Sequence, residues 1–482
     1  MLTTTNFLVV FDGLVVTVAL PALQHSLGLG RVGMQWVMAA YTLPLGGMLL
    51  LGGRCGDRYG RRPVLITGFA LFITGLLLAG LAPALWLLLP GRMLQGAGAA
   101  LAVPTSFAII SAKPSPVERN RLFAAVAVAG GVGAAGGAVI GGVVTQGLGW
   151  RYVFLLSVPV ALLAALLTPK VLDREPPASK IGGLDLPGVA LSMAGLMMLV
   201  FAITNTETAG TVSFSTFGSL ALSAVAFAGF ILQQRRTADP LLHLGILRVP
   251  SFRTAVLAMP ANEFAYQGSV FIGLLFFQQA LGYSPLVAGL AFSPLGLVVL
   301  IGSSVANRLL RRYRWTVVAS CAQFVSAVGL VLLALAGPGS AYMPHILPSM
   351  LILGLGTVVG AVSFNVAAGK DISPDDKGVG YGVFETAKYV AGVFAVAGLG
   401  SIAAARTSSA GATGHTAALT SGYQLAFAVA ALTAVIGGVL VAVLGDAPGT
   451  GAGQSARSAG ATDTCDTSAS AHPPDHVNRG KQ

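Results

Sequence analysis

The chain has 482 residues, of which 55% are hydrophobic and only 9% charged, and its mean hydropathy is +0.79. That length would ordinarily divide into about three soluble domains, yet stretches such as 64–86, 189–203 and 426–444 hold no Lys, Arg, Asp or Glu, and lipid is the solvent that suits them. The net charge of +11 would suit a nucleic-acid partner in a soluble protein, so its placement decides its meaning.

At about 20 residues per bilayer crossing, apolar segments near 4–24, 34–53, 64–83, 86–110, 122–146, 151–168, 187–205, 216–233, 253–276, 285–306, 315–336, 345–368, 380–403 and 423–445 predict fourteen spans. The first begins without a basic leader and contains Asp12, which marks it as a span and not a cleaved signal peptide. Of the 28 Lys and Arg residues, 20 fall in one alternate set of connections (54–63, 111–121, 169–186, 234–253, 307–314 and 369–379), whereas the other set holds only Arg31, Arg151 and Arg406. Both termini are therefore expected in the cytoplasm. The charge is a topology signal, and no nucleic acid is expected as a partner. After Leu444 the chain turns to Gly, Ala, Ser, Thr, Asp and Pro, a composition that predicts disorder from 446 to 482. The three cysteines lie too far apart for a disulfide framework, and no metal-ligand spacing occurs.

Taken in chain order, span 1 places Asp12 among apolar residues. An unpaired carboxylate at that depth costs about 3 kcal/mol, so it marks a functional group unless a backbone group or an arginine partners it. Spans 2 and 3 are joined by Gly53-Arg54-Cys55-Gly56-Asp57-Arg58-Tyr59-Gly60-Arg61-Arg62. A carboxylate at a helix end, a tight glycine turn and an arginine cluster can latch a neighbouring helix end and release it as two halves rock. A plain basic anchor would explain the arginines but not Asp57 or the glycines.

Span 4 carries Arg92 and Gln95 in Arg-Met-Leu-Gln-Gly-Ala-Gly-Ala-Ala. A buried guanidinium there can hold a carboxylate ionised or simply orient helices. In span 5, Gly130, Gly133, Gly137, Gly141 and Gly142 recur at helical spacing and bare one face to a partner, as in a hinge-like seam. The run 131–136 satisfies Gly-x-Gly-x-x-Gly, but no strand precedes it and no acidic residue follows about 20 positions on, so a dinucleotide site is excluded.

Glu263 falls inside span 9 beyond Pro260 with no basic residue nearby in sequence, while Glu385 in span 13 has Lys388 three residues on, where the two could neutralise each other. Gln278 and the aromatic residues Phe201, Phe264, Tyr266, Phe276, Phe277, Phe364 and Tyr389 are candidate substrate walls.

The 53–62 decapeptide resembles the signature between helices 2 and 3 of the major facilitator superfamily, with Cys55 and Gly56 in place of the usual Leu and Ala. A degenerate copy, Ser303, Asn307, Arg308, Arg311 and Arg312, stands at the same spacing after span 10. The run Phe11-Asp12-Gly13-Leu14-Val15-Val16-Thr17-Val18-Ala19-Leu20-Pro21 and the span-4 motif are similar to those of the fourteen-span drug:proton antiporter branch. Span 5 resembles that branch's Gly-Pro-x-x-Gly-Gly motif, except that Ala138 replaces the proline, which keeps open a proton-coupled nutrient or lipid transporter of the same fold.

The resemblance implies an all-α integral membrane protein of the cell membrane: a six-helix bundle over 1–170, two inserted helices within 171–240 and a second bundle over 241–445. It implies no catalysis and no cofactor. Export of amphipathic drugs, antibiotics or secondary metabolites would be driven by the proton gradient, with the chain acting as a monomer. The implied proton-coupling residues are Asp12, Arg92, Glu263 and Glu385. The implied cytoplasmic gate is Gly53, Asp57, Arg58, Gly60, Arg61 and Arg62, the hinge is Gly133, Gly137, Gly141 and Gly142, and substrate contacts are Asp12, Gln95, Glu263, Gln278 and Phe364.

Overall fold

The computed structural model describes residues 2–111, 115–172, 185–209, 213–237, 244–337, 339–372, 377–409 and 414–445. The disorder expected over 446–482 lies outside the described residues. Described residues are helical almost throughout, with no strand among them. This is the outcome lipid dictates, because a helix satisfies its backbone N–H and C=O groups internally.

The helices are α1 (Leu2–Leu27), α2 (Arg31–Tyr59), α3 (Arg61–Gly80), α4 (Leu85–Ser111), α5 (Pro116–Gly147), α6 (Trp150–Leu155) and α7 (Ser157–Val171), then α8 (Leu186–Ala209) and α9 (Phe214–Arg236). They continue with α10 (Pro250–Glu263), α11 (Ser269–Leu275), α12 (Pro285–Leu310), α13 (Trp315–Ala334), α14 (Leu347–Lys370), α15 (Lys377–Ser409) and α16 (His415–Leu444). Thirteen spans among the described residues are long and apolar enough to cross a membrane, α6 and α7 together making one of them. The fourteenth is the interrupted run 250–280, where α10 and α11 are joined by the π-helical turn Phe264–Gly268 and a second π-turn, Phe276–Ala280, follows. Pro260 inside α10 removes one N–H from the ladder, and π-turns of this kind occur frequently at functional sites.

Helix ends follow local chemistry. Ser115, Ser213 and Ser284 cap α5, α9 and α12 by accepting the backbone N–H of Glu118, Thr216 and Val287. Gly60, at φ +90°, closes α2 and opens α3, a left-handed position that disfavours side chains.

Small residues set the packing. α3 and α4 interlock through Gly68 against Gly98 and Gly75 against Gly91, while Gly96 seats α4 against the Tyr41 carbonyl of α2. Gly133, Gly137 and Gly141 of α5 face Phe7, Phe11 and Val15 of α1. Without water to drive association between spans, this close approach is what holds them together. The two six-helix bundles meet along α5 with α12 and α2 with α15, and the inserted α8–α9 hairpin packs on α2 and α15. The hairpin's outer face, including Phe214, Phe217 and Val225, is exposed, as a lipid-contacting surface should be.

Candidate transport cavity

A cavity of about 400 Å3 lies between the bundles. Its wall takes Asn6, Val9, Val10, Gly13 and Leu14 from the first half of α1, and Met38, Tyr41 and Thr42 from the first half of α2. Val128, Gly130, Gly131 and Ala134 come from α5, Ser303 from the end of α12, and Thr357, Val358, Ala361, Val362 and Asn365 from α14. Asn262, Glu263, Tyr266 and Gln267 join them around the first π-turn, and Lys388, Tyr389 and Gly392 complete the ring from α15. Because spans alternate in direction, the α1, α12 and α14 segments lie toward the side of the bundle on which α1 begins and the α2–α3 turn lies, and the α2 segment, in the first half of its helix, marks the inner end of the cavity.

Toward the opposite side the bundles are shut. A Cβ on Gly142 of α5 would fall 2.6 Å from the Pro285 carbonyl and 2.7 Å from Leu286 Cα of α12, and Gly289 sits against the Ala138 carbonyl. Gln278 donates to the Val18 carbonyl at 3.0 Å, and Gln279 donates to Gln24 at 3.2 Å while accepting from the Tyr423 hydroxyl at 2.6 Å. The molecule is therefore captured closed at one end with its cavity toward the other.

The span-5 glycines thus serve two partners. Gly133, Gly137 and Gly141 face α1, whereas Gly142 faces the other bundle, and Ala138 lies in that inter-bundle seam.

Asp12 and Arg92 meet. Arg92 Nη1 donates to Asp12 Oδ2 at 2.6 Å and to Gln95 Oε1 at 2.6 Å, while Nε reaches the Val37 carbonyl at 3.3 Å. The guanidinium lies over the Tyr41 ring, 4.4 Å from its centroid, and the pair is 0% and 1% exposed. An arginine with three acceptors and an aromatic face is an adequate counter-charge for a carboxylate removed from water.

Glu263 differs. It is 8% exposed, it lines the cavity, and no hydrogen bond or ion pair holds its carboxylate among the described residues. Glu385, which does not line the cavity, accepts from Lys388 Nζ at 2.5 Å, and Lys388 itself lines the cavity with its ammonium 4.8 Å from the Tyr389 ring centroid.

Several expected substrate contacts need correction. Phe364 is 0% exposed and packs in a separate core with Phe252, Met259 and Phe384, because it points away from the cavity that its helix neighbours Ala361 and Asn365 line. Asp12 and Gln95 are consumed by Arg92, and the Gln278 amide is spent on Val18, so none of the three lines the cavity. Phe276 and Phe277 are core residues in contact with each other, and Phe201 is exposed at the periphery. Of the proposed aromatic walls, Tyr266 and Tyr389 remain.

Tyr41, Asn262, Gln267 and Asn365 were not anticipated. The polar residues at 262 and 267 flank Glu263 within a span, a signal that could have been read, whereas Tyr41 carries none. In the 53–62 turn, Asp57 is exposed at the helix end beside Arg61, and Gly53 and Gly56 lie against Pro104 and Thr105 of α4.

Two helical bundles enclosing one cavity open toward a single side define a secondary-transporter fold. The Major Facilitator Superfamily profile matches residues 2–396. The chain is 35% identical over 452 residues to the puromycin resistance protein pur8 of Streptomyces alboniger, covering 90% of this chain and 89% of that one. It is 34% identical over 451 residues to the cephamycin export protein CmcT of Amycolatopsis lactamdurans, covering 92% and 90%. The chain belongs to the major facilitator superfamily. The fold also matches the crystal structure of an auto inhibited POT family peptide transporter, with TM-score 0.68 at 16% identity over 93% of this chain and 96% of that one. A D-xylose-proton symporter matches with TM-score 0.63 at 17% identity over 90% and 95%.

Proposed function

We propose that the chain is a drug:proton antiporter that exports small amphipathic antibiotics or related toxic organic molecules across the cell membrane. The observation that carries the reading is Glu263, an acid in the cavity wall that no hydrogen bond or ion pair holds among the described residues. Such a group is free to hold a proton when the cavity is empty and to give it up to an arriving positive group. Relatives named for puromycin resistance, cephamycin export and lincomycin resistance supply the substrate class.

With both termini in the cytoplasm, as the basic connections suggest, the cavity faces the cytoplasm or inner leaflet, where substrate enters. Closure there and separation of α5 from α12 then present it to the outside. Returning protons release it, each supplying about 2.3 kcal/mol per 100 mV of membrane potential. No cofactor is needed, one chain encloses the whole path, and Asp12 with Arg92 couples protonation to helix position, with the 53–62 turn as the cytoplasmic gate.

The test is proton release on adding puromycin to the purified protein in detergent, repeated with Glu263→Gln and Asp12→Asn, alongside puromycin accumulation by everted vesicles under an imposed pH gradient. Loss of release in Glu263→Gln is expected. Unchanged release in both variants removes them from the proton path, and accumulation that needs the reversed gradient makes the chain an importer, the alternative that Ala138 keeps open.

A further inference from the structure

The cavity presents two opposite charges on one wall. Glu263 Oε2 comes within 3.8 Å of where a Cβ on Gly392 would stand, and Lys388 lies one helical turn before Gly392 on α15. The two do not form an ion pair with each other; the Lys388 counter-ion is Glu385, which does not line the cavity. An ammonium carries three N–H donors, of which Glu385 accepts one, while the 25% exposed Lys388 side chain lines the cavity beside Tyr389. Glu263 is its complement, an acceptor with nothing donating to it.

A ligand bearing only a positive group would occupy Glu263 and bury the remaining Lys388 donors without acceptors, a loss that an acceptor on the ligand removes. We propose that the substrate site is built for zwitterions, taking a ligand amine at Glu263 and a ligand carboxylate at Lys388 about one helical turn away. This rests on the export reading only in treating this cavity as the substrate site. It assigns Lys388 to specificity, with Glu385 as the positioning residue that the ligand carboxylate competes with.

Three matched probes test it by calorimetric titration of the full-length protein in detergent: the dipeptide Phe-Trp, its C-terminal amide, and N-acetyl-Phe-Trp, which carry both charges, the positive one and the negative one. The zwitterion should bind about tenfold more tightly than either relative, the effect of one charge-assisted hydrogen bond. Lys388→Gln should abolish its advantage over the amide, and Lys388→Arg should retain it. Glu385→Gln, which frees the ammonium, should tighten the zwitterion and the acetylated probe but not the amide. Equal binding of zwitterion and amide by the unmodified protein, an equal loss for all probes in Lys388→Gln, or no binding by any of them overturns the proposal. If the ranking holds while everted vesicles accumulate none of the three probes under the imposed pH gradient, the export reading falls and the site assignment stands; accumulation without the ranking has the converse meaning.

Discussion

The Asp12–Arg92 pair offers the sharpest test of how the first bundle is held together. Replacing Asp12 with Asn keeps the shape of the side chain but leaves the guanidinium of Arg92, fully buried at 0% exposure, with the Gln95 amide oxygen, the Val37 carbonyl and the Tyr41 and Phe154 rings but no counter-charge. Breaking a buried pair from one side costs about 3–5 kcal/mol, because it strands the other charge. Arg92→Met strands Asp12 in the same way and should cost a similar amount. The double variant Asp12→Asn/Arg92→Met carries no stranded charge, and replacing a whole buried pair by neutral groups of similar volume is often close to neutral. The double variant should therefore recover at least about 2–3 kcal/mol relative to the sum of the singles, a coupling that a double-mutant cycle isolates. Reversible denaturation of the purified protein in mixed micelles, followed by circular dichroism, measures all four corners. Additive losses would refute the reasoning, since they would mean that the charges are solvated and not paired in the dominant state. The recovered double variant should still fail to couple substrate to proton release, which separates the stability role from the transport role.

Two further expectations concern packing. Gly142→Val should wedge α5 from α12, because its first carbon already meets the Pro285 carbonyl and Leu286 Cα below normal contact distance; labelling of an introduced Leu14→Cys by an impermeant maleimide from the side opposite the termini should then accelerate, and an unchanged rate would show that this seam does not close the cavity. Phe364→Ala should cost about 3–5 kcal/mol in the same unfolding assay as a cavity in a dry core, yet leave the relative affinities of the three dipeptide probes unaltered, and a reordered affinity series would return Phe364 to the binding wall.

The membrane class, thirteen of the fourteen crossings as uninterrupted spans and the family were legible in the residues, because lipid forces long uncharged runs and the charged turn at 53–62 repeats a recognisable order. The run 250–280 was legible only in part. Its apolar character predicts a span, but the π-turns that aim Tyr266 and Gln267 into the cavity depend on neighbours from other helices. Asp12 and Arg92 could each be recognised as buried charges from their own spans, and an arginine partner for Asp12 was an open alternative; that Arg92 is that partner is a contact across 80 residues of chain.

What the amino-acid order determined alone is periodic and local: where the chain must be helical, which turns need glycine at φ +90°, and which ends carry the basic connections. Which acid remains unpaired was decided in three dimensions. Asp12 and Glu263 are alike in sequence, single carboxylates in apolar spans, but bundle packing brings Arg92 to one and sets the other in the cavity wall. Helix rotation sent Phe364 into a core and Tyr41 to the cavity wall for the same reason: a side chain's environment in a bundle is set by the faces of the neighbouring helices, which no window along one helix contains.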